Sequence, residues 1–351
     1  VKRNTQLLSK GKAMAVDTAP SVLSSARLSI SKGLLTVALS TIVLFAFSAF
    51  FAPSSVSQGA ILGMLPFAAV LAIVGLGQML VVQQGGIDLS VPGAVSLAIV
   101  VISHQPNGDD AKLLPAAITV IIFAVIAGAL NGFMVGRLGL NAIIATLGTN
   151  ALLFGAVIGI SKGIPRTVTD LLSKIAGGLS FGIPHAVLFA AILLAVVTIV
   201  VRKTVAGRRF ESVGASPAAA RATGLRVRTH QGLAYVWAQL LYATAGMLLA
   251  GITLQPTAFQ GNEYLLPSVA VVVLGGTSLL GGRGFPAATV IAAVFLSQLD
   301  QFVLALGVPF AVQTLVQAAA LAIGVAIYTV NWQALRLRLR SLRLPAVRTS
   351  N

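Results

Sequence analysis

RKTVAGRRFESVGASPAAARATGLRVRTHQ, residues 202–231, is a polar segment in a chain that is mostly apolar. It carries seven Lys/Arg (Arg202, Lys203, Arg208, Arg209, Arg221, Arg226 and Arg228) against one acid, Glu211. Apolar runs flank it at 185–201 and 232–254. Lys and Arg resist translocation, so a basic loop between two membrane spans is expected on the cytoplasmic side. Within it, Ser216 suits a helix N-cap, Pro217 the first helical position and Gly224 the stop, which predicts a short helix over 216–223. At 1.5 Å per residue that helix is about 10 Å long. Its surface is nearly all Ala, so the groove of another protein could approach it closely. Taken alone, the stretch reads equally well as a solvated connection with a helical turn.

The 351 residues are 57% hydrophobic and 9% charged, with a mean hydropathy of +0.95. Soluble domains carry about 25% charged residues. A water-soluble core could not hide this much apolar surface, so the expected fold class is an all-α integral membrane protein. The net charge of +16 and pI near 11.4 invite a nucleic-acid reading. The basic residues, however, fill the gaps between apolar runs and form no patch interleaved with aromatics. Topology explains them, and no nucleic-acid partner is expected. The absence of cysteine removes disulfides, thiolate metal sites and Cys nucleophiles.

Reading outward gives about ten spans: 33–52, 59–83, 92–104, 113–135, 139–161, 185–201, 232–254, 264–280, 286–306 and 310–330. The first is a run of 20, longer than the apolar core of about 7–15 residues in a cleaved signal, so it is expected to stay as a helix. The third falls short of the roughly 20 residues needed to cross. It is either completed by 105–112 or shielded inside the bundle. With the N-terminus inside, 20 of the 24 Lys/Arg fall on the cytoplasmic side: six in the tail 1–32, Arg137, the seven in 202–231, Arg283, and five in the C-terminal tail 331–351. Lys112, Lys162, Arg166 and Lys174 fall outside. Both termini are therefore expected in the cytoplasm, flanking a transmembrane domain over 33–330. The tail LRLRLRSLRLP (335–345) alternates Leu and Arg and reads as a stop-transfer anchor beside membrane lipid.

No catalytic constellation and no metal site is expected. His104, His185 and His230 fall at span ends or in loops. Gln298, Asp300, Gln301, Gln313 and Gln317 put polar groups into the last two apolar runs, where they would line a solute route or bond helices together. At QQGGIDLSVPGA (83–94) the glycines break the helix, Ser90 caps the next one and Pro92 fits its first turn. Asp88 at this break is expected near the cytoplasmic interface, accepting from free backbone N–H groups. Small residues, as in GALNGFMVG (128–136), permit close helix crossings. GGIDLSVPGA (85–94) and GGTSLLGGRG (275–284) echo each other, too weakly to establish a repeat.

Five motifs in order and spacing then carry a resemblance: GGIDLS (85–90), ALNGFMVGRL (129–138), ATLGTN (145–150), GRRFESVGASPAAARATGL (207–225) and VVLGGTSLLGGRG (272–284). Over roughly 35–330 the chain resembles the permease subunit of a bacterial ABC importer of the ribose and simple-sugar type. The resemblance implies a type II importer fold in the inner membrane. It also implies a second permease copy (identical or paralogous), an ABC ATP-binding subunit, a periplasmic solute-binding protein and a small-molecule sugar as partners. It implies that 216–223 is the coupling helix, with Glu211, Gly214, Ser216, Pro217, Ala218, Ala219, Arg221 and Gly224 coupling to the ATP-binding subunit. Gly85, Gly86, Asp88 and Ser90 form the family motif at the helix break. No cofactor is expected on this chain, because it has no GxxxxGK[ST] phosphate loop and ATP would bind the partner. The chain departs from the commoner family pattern at Pro92, at LLPS (265–268) and at Asp300-Gln301-Phe302. The alternative is a proton-coupled secondary transporter using Asp88 and Asp300 as titrating groups.

Overall fold

A computed structural model describes residues 32–309 together with 311, 312, 314–316, 318, 319 and 322. Most of the expected span 310–330, with Gln313 and Gln317, lies outside the described residues, as do the tails 1–31 and 331–351. Among the described residues the chain is almost wholly helical, and seven helices are long and apolar enough to cross a membrane.

The centre is α2 (Gln58–Gln83), capped where the Ser57 hydroxyl accepts from Ala60 N–H and buried without interruption from Ala68 to Gln83. α1 (Lys32–Phe51) precedes it and keeps most of its Leu, Val and Phe side chains on the outside. α3 (Val91–His104) is only 14 residues, about 21 Å at 1.5 Å per residue, against a hydrocarbon thickness near 30 Å. Every residue from Val91 to Ser103 is buried, so other helices shield it and it does not meet lipid alone. α4 (Leu113–Gly132) runs on through a π-helical turn, Phe133–Arg137, so the expected span 113–135 extends at both ends into Asp110–Arg137. α5 (Ala142–Ser161) starts three residues later than expected, because Asn141 caps it by accepting from Ile143 N–H at 2.9 Å. A short α6 (Asp170–Gly177) and a two-residue hairpin, β1 (Leu179–Ser180) with β2 (Ile183–Pro184), lead to α7 (His185–Lys203).

The 202–231 stretch is more helical than the sequence suggested. Two helices fill it, α8 (Val205–Ala215) and α9 (Pro217–Ala222), and α10 (Val227–Thr253) begins five residues before the expected start of its span. The reason is packing: Val213, Ala220 and Val227 bury one another in a small satellite core. The exposed loop expected over 202–231 is thus an ordered arm over 204–226. α11 (Leu265–Leu274) is shorter than the expected 264–280, and α12 (Pro286–Ala305) follows.

Both helix breaks end the same way. After α2, Gly85 N–H bonds to Val82 O and Gly86 N–H to Val81 O. After α11, Gly276 N–H bonds to Val273 O and Thr277 N–H to Val272 O. Gly85 (φ +80°) and Gly276 (φ +82°) take the left-handed position that closes each helix. The structural register pairs Gly85 with Gly276, one residue away from the pairing that the sequence echo gives.

α4 crosses α10 through glycines. A Cβ on Gly128 would lie 2.6 Å from Val236 Cα, one on Gly132 2.5 Å from Gly232 O, and one on Gly136 2.7 Å from Arg228 O. Positions four apart on one helix thus meet positions four apart on the other, running in opposite directions.

The loops gather at two ends. At one, Gln84 Nε2 donates to Phe210 O (2.8 Å) and Gly282 N–H to Gln83 O (3.0 Å). At the other, Val168 N–H donates to Leu254 O (2.9 Å) and Leu171 N–H to an Asp110 carboxylate oxygen (3.0 Å). The first end holds Arg137, Arg202, Lys203, Arg208, Arg209, Arg221, Arg226, Arg228 and Arg283 with Glu211 among the described residues. The second balances Lys112, Lys162, Arg166 and Lys174 against Asp109, Asp110, Asp170 and Glu263.

Candidate functional site

The basic end carries the strongest candidate. α8 is capped at Thr204, whose hydroxyl accepts from Gly207 N–H at 3.0 Å. α9 is capped by Ser216, which accepts from Ala219 N–H at 3.3 Å. It stops where Gly224 (φ +81°) lets Leu225 N–H reach Ala220 O at 3.0 Å. One side chain of α9, Ala220, turns inward onto Val213 and Val227. Ala218, Ala219 and Arg221 face outward, Ser216 and Pro217 are half-buried, and Gly224 is exposed. The result is a short, nearly flat, Ala-lined ridge held by caps at both ends.

Two residues expected to take part in coupling, Glu211 and Gly214, lie off that ridge. Gly214 is buried, and a Cβ there would fall 2.0 Å from Gln83 O, so backbone lies on backbone. Glu211 is half-buried between Arg202 (3.5 Å) and Arg283 (3.6 Å). The arm, the end of α2 and the α11–α12 turn are therefore one junction, and three of the five motifs (85–90, 207–225 and 272–284) meet there.

The break between α2 and α3 holds a second polar centre. Asp88 is fully buried. Its Oδ1 accepts from Ser90 N–H (2.9 Å) and the Ser90 hydroxyl, and its Oδ2 from Gln239 Nε2 (3.3 Å). Ser90 Oγ in turn accepts from Asn131 Nδ2 (3.0 Å) and Gln239 Nε2 (2.7 Å). With its amide turned to satisfy both ends, Gln78 accepts from Asp88 N–H (3.3 Å). It donates to Asp88 O (3.2 Å) and to the Tyr242 hydroxyl (2.9 Å). Leu89 N–H bonds to Thr146 Oγ1 (2.9 Å) and Gly93 N–H to Asn150 Oδ1 (2.8 Å). The backbone N–H expected for Asp88 is present, and the carboxylate is fully buried with Ser90 and Gln239 as its partners. Gly85 and Gly86 shape the turn, with Gly86 against the Tyr235 hydroxyl. Gln78, Asn131, Gln239 and Tyr242 escaped the sequence analysis. Their one signal is an isolated amide or hydroxyl inside an apolar run.

The expected solute-route residues separate. Gln298 is fully buried, with neither amide atom bonded among the described residues, while Asp300 and Gln301 are half-buried on α12. No cavity among those described is lined by them. A cleft of about 490 Å³ instead opens between α3, α4 and α5 at the end away from the basic arm, with His104, Lys162 and Arg166 at its rim.

Residues 60–325 match the family model described as branched-chain amino acid transport system / permease component. The chain is 35% identical over 259 residues to a protein of Sinorhizobium fredii described as a probable ABC transporter permease, covering 73% of this chain and 77% of that one. It is 30% identical over 300 residues to a ribose import permease of Escherichia coli, covering 82% and 91%. It is 34% identical over 237 residues to an autoinducer 2 import system permease of an Enterobacter species, covering 66% and 67%. No solved structure matches it. These comparisons lend no support to the proton-coupled alternative.

Proposed function

We propose that this chain, which belongs to the branched-chain amino acid transport system / permease component family, is the membrane-spanning subunit of an ATP-driven importer in the bacterial inner membrane. Its cargo is a sugar or a related small polar solute, delivered by a periplasmic binding protein. ATP is hydrolysed on a separate subunit that docks on α9. The observation that carries this reading is the arm itself. A capped, Ala-faced ridge stands out from the basic end, while its root is bonded to both helix breaks.

The bundle has ten spans with both termini cytoplasmic. The charge difference between the two ends supports that orientation, since basic residues stay inside. Two copies of the permease sit side by side. The outward face of α5 favours this, because Gly148, Ala151, Gly155 and Gly159 form a small-residue row. A Cβ at any of its three glycines would meet nothing within 4 Å. Small residues let helices approach closely inside a membrane.

The test is transport by the chain co-expressed with its genomic neighbours and reconstituted in vesicles. Uptake requires ATP and the ATP-binding subunit, and survives an ionophore that collapses the proton gradient. A screen of pentoses, hexoses and polyols for stimulation of ATP hydrolysis identifies the solute. Uptake that persists without the ATP-binding subunit and stops with the ionophore would overturn the assignment.

A further inference from the structure

Glu211 is the one acid at the basic end among the described residues, and it does not face the docking ridge. Its Oε2 lies 3.5 Å from Arg202 Nη1 and its Oε1 3.6 Å from Arg283 Nε. One carboxylate on α8 thus ties the last turn of α7 to the α11–α12 turn. Both guanidinium groups lie over the Phe285 ring, at 5.3 and 5.7 Å from its centroid, and Arg202 also donates to Gly284 O.

Both helix breaks touch the arm through backbone, and among the described residues the α11–α12 turn adds an ion pair to it. The end of α2 is held by the Gln84 side chain, whose Nε2 donates to Phe210 O, and by Gly214 packed directly on the Gln83 backbone. That contact has no room for slip. The α11–α12 turn, rich in glycine and with Leu280 turned out, also packs on the arm through backbone, since a Cβ on Gly281 would lie 2.7 Å from Gly214 O. Glu211 with its two arginines supplies the side-chain tie there. Glu211 and Arg202 are mostly shielded, which strengthens that pair, whereas the tie to Arg283, whose side chain is 61% exposed, is more open to solvent.

We propose that Glu211 is a positioning residue that transmits movement of α9 to α12 through Arg283, so that ATP hydrolysis on the partner becomes movement of the permease helices. The proposal rests on the importer reading above. In it, α9 receives the partner, backbone contact carries the motion to α2 and α3, and the Glu211–Arg283 pair carries it to α12.

The test measures solute imported per ATP hydrolysed by the complete transporter in vesicles. Glu211→Gln and Arg283→Gln should still co-purify with the ATP-binding subunit and keep ATP hydrolysis within about twofold of the parent. Solute moved per ATP should fall by about tenfold, within the range for paired residues acting together. The double variant should be no worse than either single one, and Arg283→Lys, which keeps the charge, should retain most of the coupling. Arg283 is 61% exposed, so its replacement leaves folding intact even if Glu211→Gln does not. A parental ratio in Arg283→Gln would overturn the proposal. So would loss of co-purification, or hydrolysis and uptake falling in proportion. If the parental transporter shows no ATP-driven uptake, it is the importer reading that fails.

Discussion

Alanine at Gly132 would put one carbon into the closest part of the α4–α10 crossing. Its Cβ would sit 2.5 Å from Gly232 O, 2.9 Å from Gly232 Cα and 3.0 Å from Gly232 C. Carbon and oxygen in ordinary contact lie about 3.5 Å apart, so the helices must separate by roughly 1 Å. All three atoms belong to backbone, and no rotamer change relieves the overlap. A gap of that size forfeits about a quarter to a half of each contact, and a crossing of about 40 atom pairs at about 0.1–0.2 kcal/mol then loses about 1–4 kcal/mol. Alanine regains about 0.5–1 kcal/mol from lower backbone entropy. The net expectation is a loss of about 1–3 kcal/mol, in line with measured overpacking. Gly63→Ala, on α2 and away from the α5 row, is the control, since a Cβ there meets nothing within 4 Å. It should leave stability unchanged or slightly higher. Thermal unfolding of the purified variants in one detergent measures the difference, and Gly132→Ala as stable as Gly63→Ala would refute the reasoning.

Three further outcomes are expected. Ala219→Glu keeps the helix, because Glu is nearly as good a helix former as Ala. It places a carboxylate on the exposed ridge, so co-purification with the ATP-binding subunit and import should both collapse while expression stays normal; parental import with the partner bound would remove α9 from the docking role. In this cysteine-free chain Ser216→Cys should react with an impermeant thiol reagent only from the cytoplasmic face, and Lys174→Cys only from outside; the reverse pattern would invert the topology. Asp88→Asn should be nearly neutral in thermal unfolding, because Gln239 can turn its unbonded Oε1 toward the new amide. Asp88→Leu leaves the Ser90 N–H and the Ser90 hydroxyl without their acceptor and should cost about 1–3 kcal/mol for each; equal stability of the two variants would contradict the network.

Seven of the expected spans, the break at Gly85, the caps at Ser216 and Gly224 and the basic arm were legible in the sequence. Each depends on local rules: apolar run length, the left-handed glycine, side-chain capping and the reluctance of Lys and Arg to cross. The motifs were equally legible, because spacing along a chain survives without knowledge of packing. Three features needed the tertiary structure. The shortness of α3 became intelligible only when α4, α5 and α10 were seen to enclose it. Helix α8 forms on a segment rich in Arg and Gly because Phe210, Val213 and Gly214 find partners more than a hundred residues away in sequence at Gln83 and Gln84, or across the arm at Val227. Glu211 and Gly214 were expected to take part in coupling from their place in a motif, and only the structure shows that they face inward, onto Arg202 and Arg283 and onto Gln83. Proximity in sequence fixes which residues travel together, whereas the direction in which a side chain points is set by the helices that close around it.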